Sequence, residues 1–299
     1  MATKSSKTSI RLKTSGKIAR AKKLKDKSSE QPIECVFSDM SERLMRIQRD
    51  LLMPAFVFQR EGIQNTITMF GSARIKPEHV AKAEYESLLK RNHSTKRAKE
   101  ALEKAKMAVE MSKYYTAAEE LARRLQEWSN CLNVKPEDKY YIMTGGGPGI
   151  MEAANRGAYR AGGKTVGATI TIPDEQKRNV FLDRGVWVNF NYFLMRKFWL
   201  LFFAKALIAF PGGTGTFDEF FEVFTLMKTR KTHQYIPTVL FGRKFWENVV
   251  DFDYLVKTDV ITRQDLKFFR YADTVDEAYD FITSELQRLR PTKELGNPL

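Results

Sequence analysis

The sequence predicts an α/β fold, a doubly wound parallel sheet with helices on both faces. Three observations carry this. Short apolar runs at 67–70, 140–143 and 206–210 lack alternating polarity, the mark of strands covered on both sides. Helical stretches separate the runs, as crossover connections in a parallel sheet require. Two of the runs end in glycine clusters, at Gly145, Gly146 and Gly147 and at Gly212 and Gly213, and in such sheets ligands sit beyond the carboxyl ends of strands.

In chain order, 41–58 reads as an amphipathic helix with Leu44, Ile47, Leu51 and Leu52 on one stripe. The strand at 67–70 runs into Gly71-Ser72-Ala73-Arg74. From 78 to 128 the pattern is helical, rich in Ala, Glu, Lys and Leu with no Gly or Pro inside, and a break at 91–95 divides it into two helices. The strand at 140–143 leads through Thr144 into the first glycine turn and a helix over 150–161. A strand at 165–172 follows, then a polar, irregular stretch to 184. A helix over 192–205 feeds the strand at 206–210, and the Pro211-Gly212-Gly213 turn opens a helix over 216–228. A strand at 237–241 and helices near 246–257 and 275–289 complete the pattern. No internal repeat interrupts it, so 35–299 is expected to be one domain behind a tail at 1–34.

The 299 residues include 50 Lys plus Arg against 36 Asp plus Glu, a net charge of +14. The first 27 residues hold ten of those cations and a single acid, Asp26, which leaves only +5 for the other 272. The tail therefore makes the chain basic, and like-sign charge with few apolar residues predicts that it is disordered. It lacks the apolar core of a secretory signal. Its composition suits a solvated segment with weak polyanion affinity, and also resembles an organelle transit peptide or a nucleic-acid-binding arm. The most apolar stretch, 198–210, contains Lys205 and falls short of the roughly 20 residues a membrane span needs. Two cysteines, Cys35 and Cys131, and three scattered histidines (His79, His93, His233) give no disulfide framework and no metal-ligand spacing. A reduced, cytoplasmic protein without a membrane segment, a metal or a cofactor is expected.

Glycines let a backbone approach a ligand, and a helix beginning there aims free N–H groups at it, an arrangement suited to phosphate. The turn 144–152 has this form, although a tight strand-to-helix turn without a ligand would look the same. It departs from the dinucleotide fingerprint, because Ile150 stands where GxGxxG needs its last glycine. The turn 211–219 is a stronger anion cradle. Gly212, Gly213 and Gly215 are joined by the hydroxyls of Thr214 and Thr216, and Asp218 and Glu219 follow in what the pattern makes the first helical turn, where the macrodipole favours ionised acids. Gly163-Lys164-Thr165 resembles the end of a phosphate loop, but Ala158 replaces the required glycine and a strand follows. Arg196 and Lys197 precede the second cradle; an arginine there could grip an anion with paired N–H groups, or the two could be an ordinary basic pair.

Taken together, GSAR at 71–74, TGGGPGIMEAANRGA at 144–158, EQKRN at 175–179, MRK at 195–197 and PGGTGTFDEFFE at 211–222 resemble the LONELY GUY (LOG) family, formerly labelled lysine-decarboxylase-like. They resemble more closely its longer bacterial members, which act as nucleotide 5′-monophosphate nucleosidases. The last segment fits the family pattern PGGxGTxxE at every fixed position. The resemblance spans roughly 60–285 and leaves out the tail and the helical stretch near 90–112.

The resemblance implies a Rossmann-like, nucleotide-binding domain that hydrolyses the N-glycosidic bond of nucleoside 5′-monophosphates, AMP-like or cytokinin-like, to free base and ribose 5-phosphate. It implies Arg196 and Glu219 as catalytic residues. Gly71, Ser72, Gly145, Gly146, Gly147, Glu175, Lys197, Gly212, Gly213, Thr214, Gly215 and Thr216 would be substrate contacts. No cofactor is implied, and the usual assembly is a homodimer or higher homo-oligomer. A non-catalytic nucleotide-binding or carrier protein on the same scaffold is the alternative, since fold alone does not establish turnover.

Overall fold

A computed structural model describes residues 33–91, 94–171, 178–232 and 235–290, with side chains except at 33–38 and 183–184. The basic tail up to residue 32 and the expected substrate contact Glu175 lie outside the described residues. Two units divide the chain, Met1–Leu44 and Met45–Leu299. In the first, only the opening turns of a helix are described, with an exposed Asp39–Arg43 pair. All that follows concerns the second.

The described residues form a seven-stranded, all-parallel sheet: β1 (Asn65–Phe70), β2 (Tyr140–Thr144), β3 (Thr165–Ile170), β4 (Val186–Phe190), β5 (Ala204–Ala209), β6 (Thr238–Phe241) and β7 (Arg270–Ala272). Their order across the sheet is β4-β3-β2-β1-β5-β6-β7. The chain moves outward from β1 to β4, then returns to β5 on the other side of β1. That reversal makes the β1/β5 junction a topological switch point, where doubly wound sheets open a crevice at the strand carboxyl ends.

Helices cover both faces, as expected. On one face α4 (Lys113–Cys131), α5 (Ile150–Arg160) and α10 (Val275–Leu289) bury Leu121, Leu125, Ala154 and Ile282 against Ile67, Met69 and Ile208. On the other lie the part of α1 (Ile33–Glu61) from Met45 onward, α6 (Phe193–Phe202), α7 (Thr214–Lys228), α8 (Arg243–Val249) and α9 (Phe252–Lys257). There Phe58, Trp199, Phe220, Trp246 and Phe252 pack on Phe70, Leu207 and Leu240. Phe220 is wholly buried, and a ring so placed contributes about 2–3 kcal/mol of transfer free energy. The connection from β1 to β2 also contains α2 (Glu78–Leu89) and α3 (Lys96–Met111). No described helix is long and apolar enough to cross a membrane.

Several expectations are corrected. The 78–128 stretch makes three helices, because a second break falls at Ser112, whose hydroxyl donates to Val109 O (2.6 Å) between α3 and α4. Strands β4 and β7, both at sheet edges, were not expected. The helix expected over 192–205 stops at Phe202, so Ala204 and Lys205 belong to β5. Helix α7 begins at Thr214 rather than 216, which puts Glu219 in its second turn.

Helix α1 faces the sheet with a different stripe from the expected one. Leu51 and Leu52 are exposed, whereas Asp50, Pro54 and Phe58, at four-residue spacing, are buried. Pro54 cannot donate to the carbonyl four residues back. That carbonyl, Asp50 O, accepts instead from the Trp199 indole N–H (3.1 Å).

Candidate functional site

Three strand ends meet at the switch point. After β1 comes the Gly71-Ser72-Ala73 turn, after β2 the turn from Gly145 to Gly149, and after β5 the Pro211-Gly212-Gly213 turn. Backbone hydrogen bonds stitch them together: Ser72 N donates to Pro211 O (3.0 Å), and Ile150 N to Ser72 O (3.1 Å). Gly149 is required twice over. Its φ of +71° lies in the left-handed region, and a Cβ there would strike the backbone of Ser72 and Ala73. The carbonyls of the first glycine turn are also held. Asn179 N donates to Gly146 O, and Asn179 Nδ2 donates to Gly147 O (3.0 Å) and Asn155 Oδ1 (3.1 Å). The Thr144 hydroxyl, which donates to Asn155 Oδ1, accepts from Gly146 N (2.9 Å).

Between these turns lies a cleft of about 810 Å³, of a size that accommodates a small ligand. Its walls contain Gly71, Ser72, Gly145, Gly146, Gly147, Arg196, Gly212, Gly213, Thr214, Gly215, Thr216 and Glu219, twelve of the expected site residues. Lys197 is not on the wall; its ammonium pairs with Asp218 Oδ1 and Glu222 Oε2. Glu175 lies outside the described residues. Sequence reasoning missed the face of α3, where Lys104, Met107, Ala108 and Met111 line the cleft at helical spacing. It also passed over Asn155 and Asn179 as the props of the glycine turn. Asn179 stood in a quoted motif, and its burial is what marks it out.

The cradle after β5 is the N-terminus of α7. Gly213 caps the helix without a side-chain bond and its carbonyl accepts from Thr216 N (2.9 Å), so among the described residues the N–H groups of Thr214 and Gly215 are the ones left for a ligand. A Cβ on Gly213 or Gly215 would meet nothing within 4 Å, whereas Gly212 is overlaid by the Thr216 side chain. The cradle is thus open where an anion would enter and packed where the turn needs support.

Arg196 is set by α6 and by β3. Its Nε donates to Ala168 O (2.8 Å), and its guanidinium lies over Gly145. The N-terminus of α6 is itself fixed by Asp50, which accepts from Asn191 N (2.6 Å), Asn191 Nδ2 (2.8 Å) and Tyr192 N (3.1 Å). Burial draws the Arg196 guanidinium below the usual arginine range, an effect opposed by the charge of Glu219.

Glu219 is only 7% exposed, and its Oε2 has no hydrogen-bond partner among the described residues. Desolvation pushes its carboxyl up to about 7, although Arg196 and Lys197 favour the charged form. This reverses the expectation that the helix dipole keeps it ionised. Glu219 lies two residues further into α7 than the pattern placed it, and burial outweighs the dipole there. A buried, unsatisfied acid poised near neutrality beside a fixed guanidinium is the arrangement that perturbed functional groups adopt.

Fold and site together define a doubly wound α/β protein whose switch-point cleft is lined by glycine turns, an arginine and a buried acid. Residues 151–282 match the family model described as "Possible lysine decarboxylase", which is the LOG-type family. No curated protein matches. Among solved structures, the chain is similar to the protein TM1055, with 21% identity over 74% of this chain and 99% of that one, at a TM-score of 0.44. It is also similar to the molybdenum cofactor carrier protein of Chlamydomonas reinhardtii. Two structures of that protein show 16% and 17% identity over 75% and 76% of this chain and 99% of theirs, at TM-scores of 0.41 and 0.43.

Proposed function

We propose that this protein hydrolyses the N-glycosidic bond of nucleoside 5′-monophosphates, releasing free base and ribose 5-phosphate. The observation that carries the reading is the pairing of two features in one cleft: the open glycine–threonine cradle at the start of α7, and Glu219, buried with an unpartnered oxygen five residues further along the same helix. The 5′-phosphate would sit on the N–H groups of Gly213, Thr214 and Gly215, since Thr216 N already donates to Gly213 O (2.9 Å). The ribose would then extend along α7 toward Glu219. Cleavage of the C1′–N bond builds positive charge on the ribose, and the carboxylate stabilises that charge and orients the attacking water. The base departs with the bonding electrons and takes up a proton. Arg196, held by Ala168 O, binds the phosphate or polarises the leaving base.

In this reading the protein works as a homodimer or higher homo-oligomer. What supports assembly is the outer stripe of α6, where Leu194, Phe198 and Phe202 are 70%, 41% and 56% exposed at four-residue spacing.

The test is incubation of the full chain with a panel of nucleoside monophosphates and their nucleosides, with released base measured by chromatography. Base is expected from monophosphates and hardly at all from nucleosides, because the cradle lends binding energy to the transition state only when a phosphate is present. Equal rates on AMP and adenosine would remove the phosphate assignment. Tight binding of a monophosphate with no base released would favour a carrier.

A further inference from the structure

Lys197 stands next to Arg196 in the sequence, and its ammonium reaches two acids of α7, of which Asp218 lines the cleft and Glu222 does not. Nζ lies 2.9 Å from Asp218 Oδ1 and 2.9 Å from Glu222 Oε2. Asp218 and Glu222 are four residues apart and therefore share one helical face, and they bracket Glu219 in sequence. The Lys197 side chain is 18% exposed, against 33% for Glu222 and 59% for Asp218, so the Glu222 contact is the more shielded of the two. One ammonium thus ties the helix that carries Arg196 to the helix that carries Glu219, at the residue adjoining each.

The same contacts have an electrostatic effect. Glu219 is faced by Arg196 and Lys197 from α6 and by Asp218 and Glu222 from its own helix. Arg74 and Lys104, from the turn after β1 and from α3, are the other cations on the cleft wall. Asp218 and Glu222 both favour a protonated Glu219, and Lys197 is the cation in contact with both of them. We propose that Lys197 is a positioning residue, a bolt between α6 and α7 that holds Glu219 in register with Arg196 and offsets the two carboxylates flanking it. This rests on the reading of Glu219 as the acting carboxylate.

The decisive measurement is a titration of Glu219 in the ligand-free full-length protein by carbon-13 NMR of labelled glutamate carboxyls, with the resonance assigned by its loss in Glu219→Gln. In Lys197→Met the midpoint rises by about one pH unit, because a nearby cation is lost and two acids are left uncompensated. Lys197→Arg restores it to within about 0.3 unit, since the charge is kept. Turnover of a monophosphate should show its acidic limb displaced by the same amount. An unmoved midpoint in folded Lys197→Met overturns the inference and leaves the nucleosidase reading standing. A moved midpoint in a protein that cleaves no monophosphate sustains the link between the helices and removes that reading instead. Should Lys197→Met fail to fold, Lys197→Gln decides, because it keeps a polar head group and removes only the charge. Its midpoint rises if the inference holds, and an unchanged or lower midpoint overturns it.

Discussion

The guanidinium of Arg196 occupies the space that a β-carbon on Gly145 would take. Glycine is demanded there by a neighbouring side chain, since the backbone at 145 is not in the left-handed region. The glycine turn after β2 is therefore a seat for the arginine as well as a wall of the cleft.

Gly145→Ala should consequently fold normally but displace Arg196. The clash falls on the end of a flexible side chain, so the cost to stability is small. The cost to turnover should be on the order of 100-fold, the usual penalty for an ångström of misplacement. Steady-state rates on a monophosphate, alongside thermal unfolding, check both halves. Unchanged turnover would detach Arg196 from the chemistry.

Glu219→Gln should lower kcat by roughly 100-fold or more, as loss of one preorganised electrostatic group does. Its stability profile should change in a defined direction. The folded carboxyl sits at about 7 against an ordinary 4.5, so the native state holds the proton more tightly. The resulting stabilisation is complete below about pH 4.5 and is lost as pH rises through 7, roughly 3 kcal/mol in all. Chemical denaturation at pH 5 and pH 8 should show that decline in the wild type and a flatter profile in the Gln variant. A decline of equal size in both would place the titrating group elsewhere.

At Gly215, stability and binding should move in opposite directions. The residue lies in the first turn of α7, where alanine is favoured over glycine by about 0.5–1 kcal/mol, and its Cβ would stand in open space. Gly215→Ala is expected to raise the melting temperature slightly while raising KM for monophosphates, because the new methyl occupies room the phosphate needs. A lower melting temperature, or an unaltered KM, would contradict this.

The outer stripe of α6 predicts a change of mass. Replacing Leu194 and Phe198 by Glu puts charge into a patch that assembly would bury, so sedimentation should show a shift from oligomer to monomer with helical content retained. A wild-type chain that sediments as a monomer would remove the need for that patch to be covered by another copy.

Much of this architecture was legible in the sequence. Among the five inner strands, β2, β5 and β6 are largely apolar runs because both their faces are covered, while β1 and β3 bury threonines among their apolar residues. The edge strands were not legible. Trp187 is exposed in β4, and β7 has three residues with Arg270 exposed, so neither reads as a buried run. Within the site, turn chemistry pointed to Gly212, Gly213 and Gly215 directly. Contacts remote in sequence stayed hidden. Nothing local to Lys197 says that it turns toward Asp218 and Glu222, and nothing local to α3 says that Met107 and Met111 reach the cleft. Glu219 was found by motif but its ionisation was misjudged, because its burial, the main cause of the raised carboxyl, depends on contacts remote in sequence.

The contacts of Asp50 bear on how the protein can be dissected. A fragment starting at residue 62 would retain all seven strands and every residue lining the cleft. It would nonetheless lose the carboxylate that fastens Asn191 and Tyr192, and with it the acceptor for the Trp199 indole. Arg196 would then ride on a helix whose leading end is untethered. The stretch covered by the family model, 151–282, omits that fastening as well, so a minimal version of this protein cannot be drawn from its motifs alone.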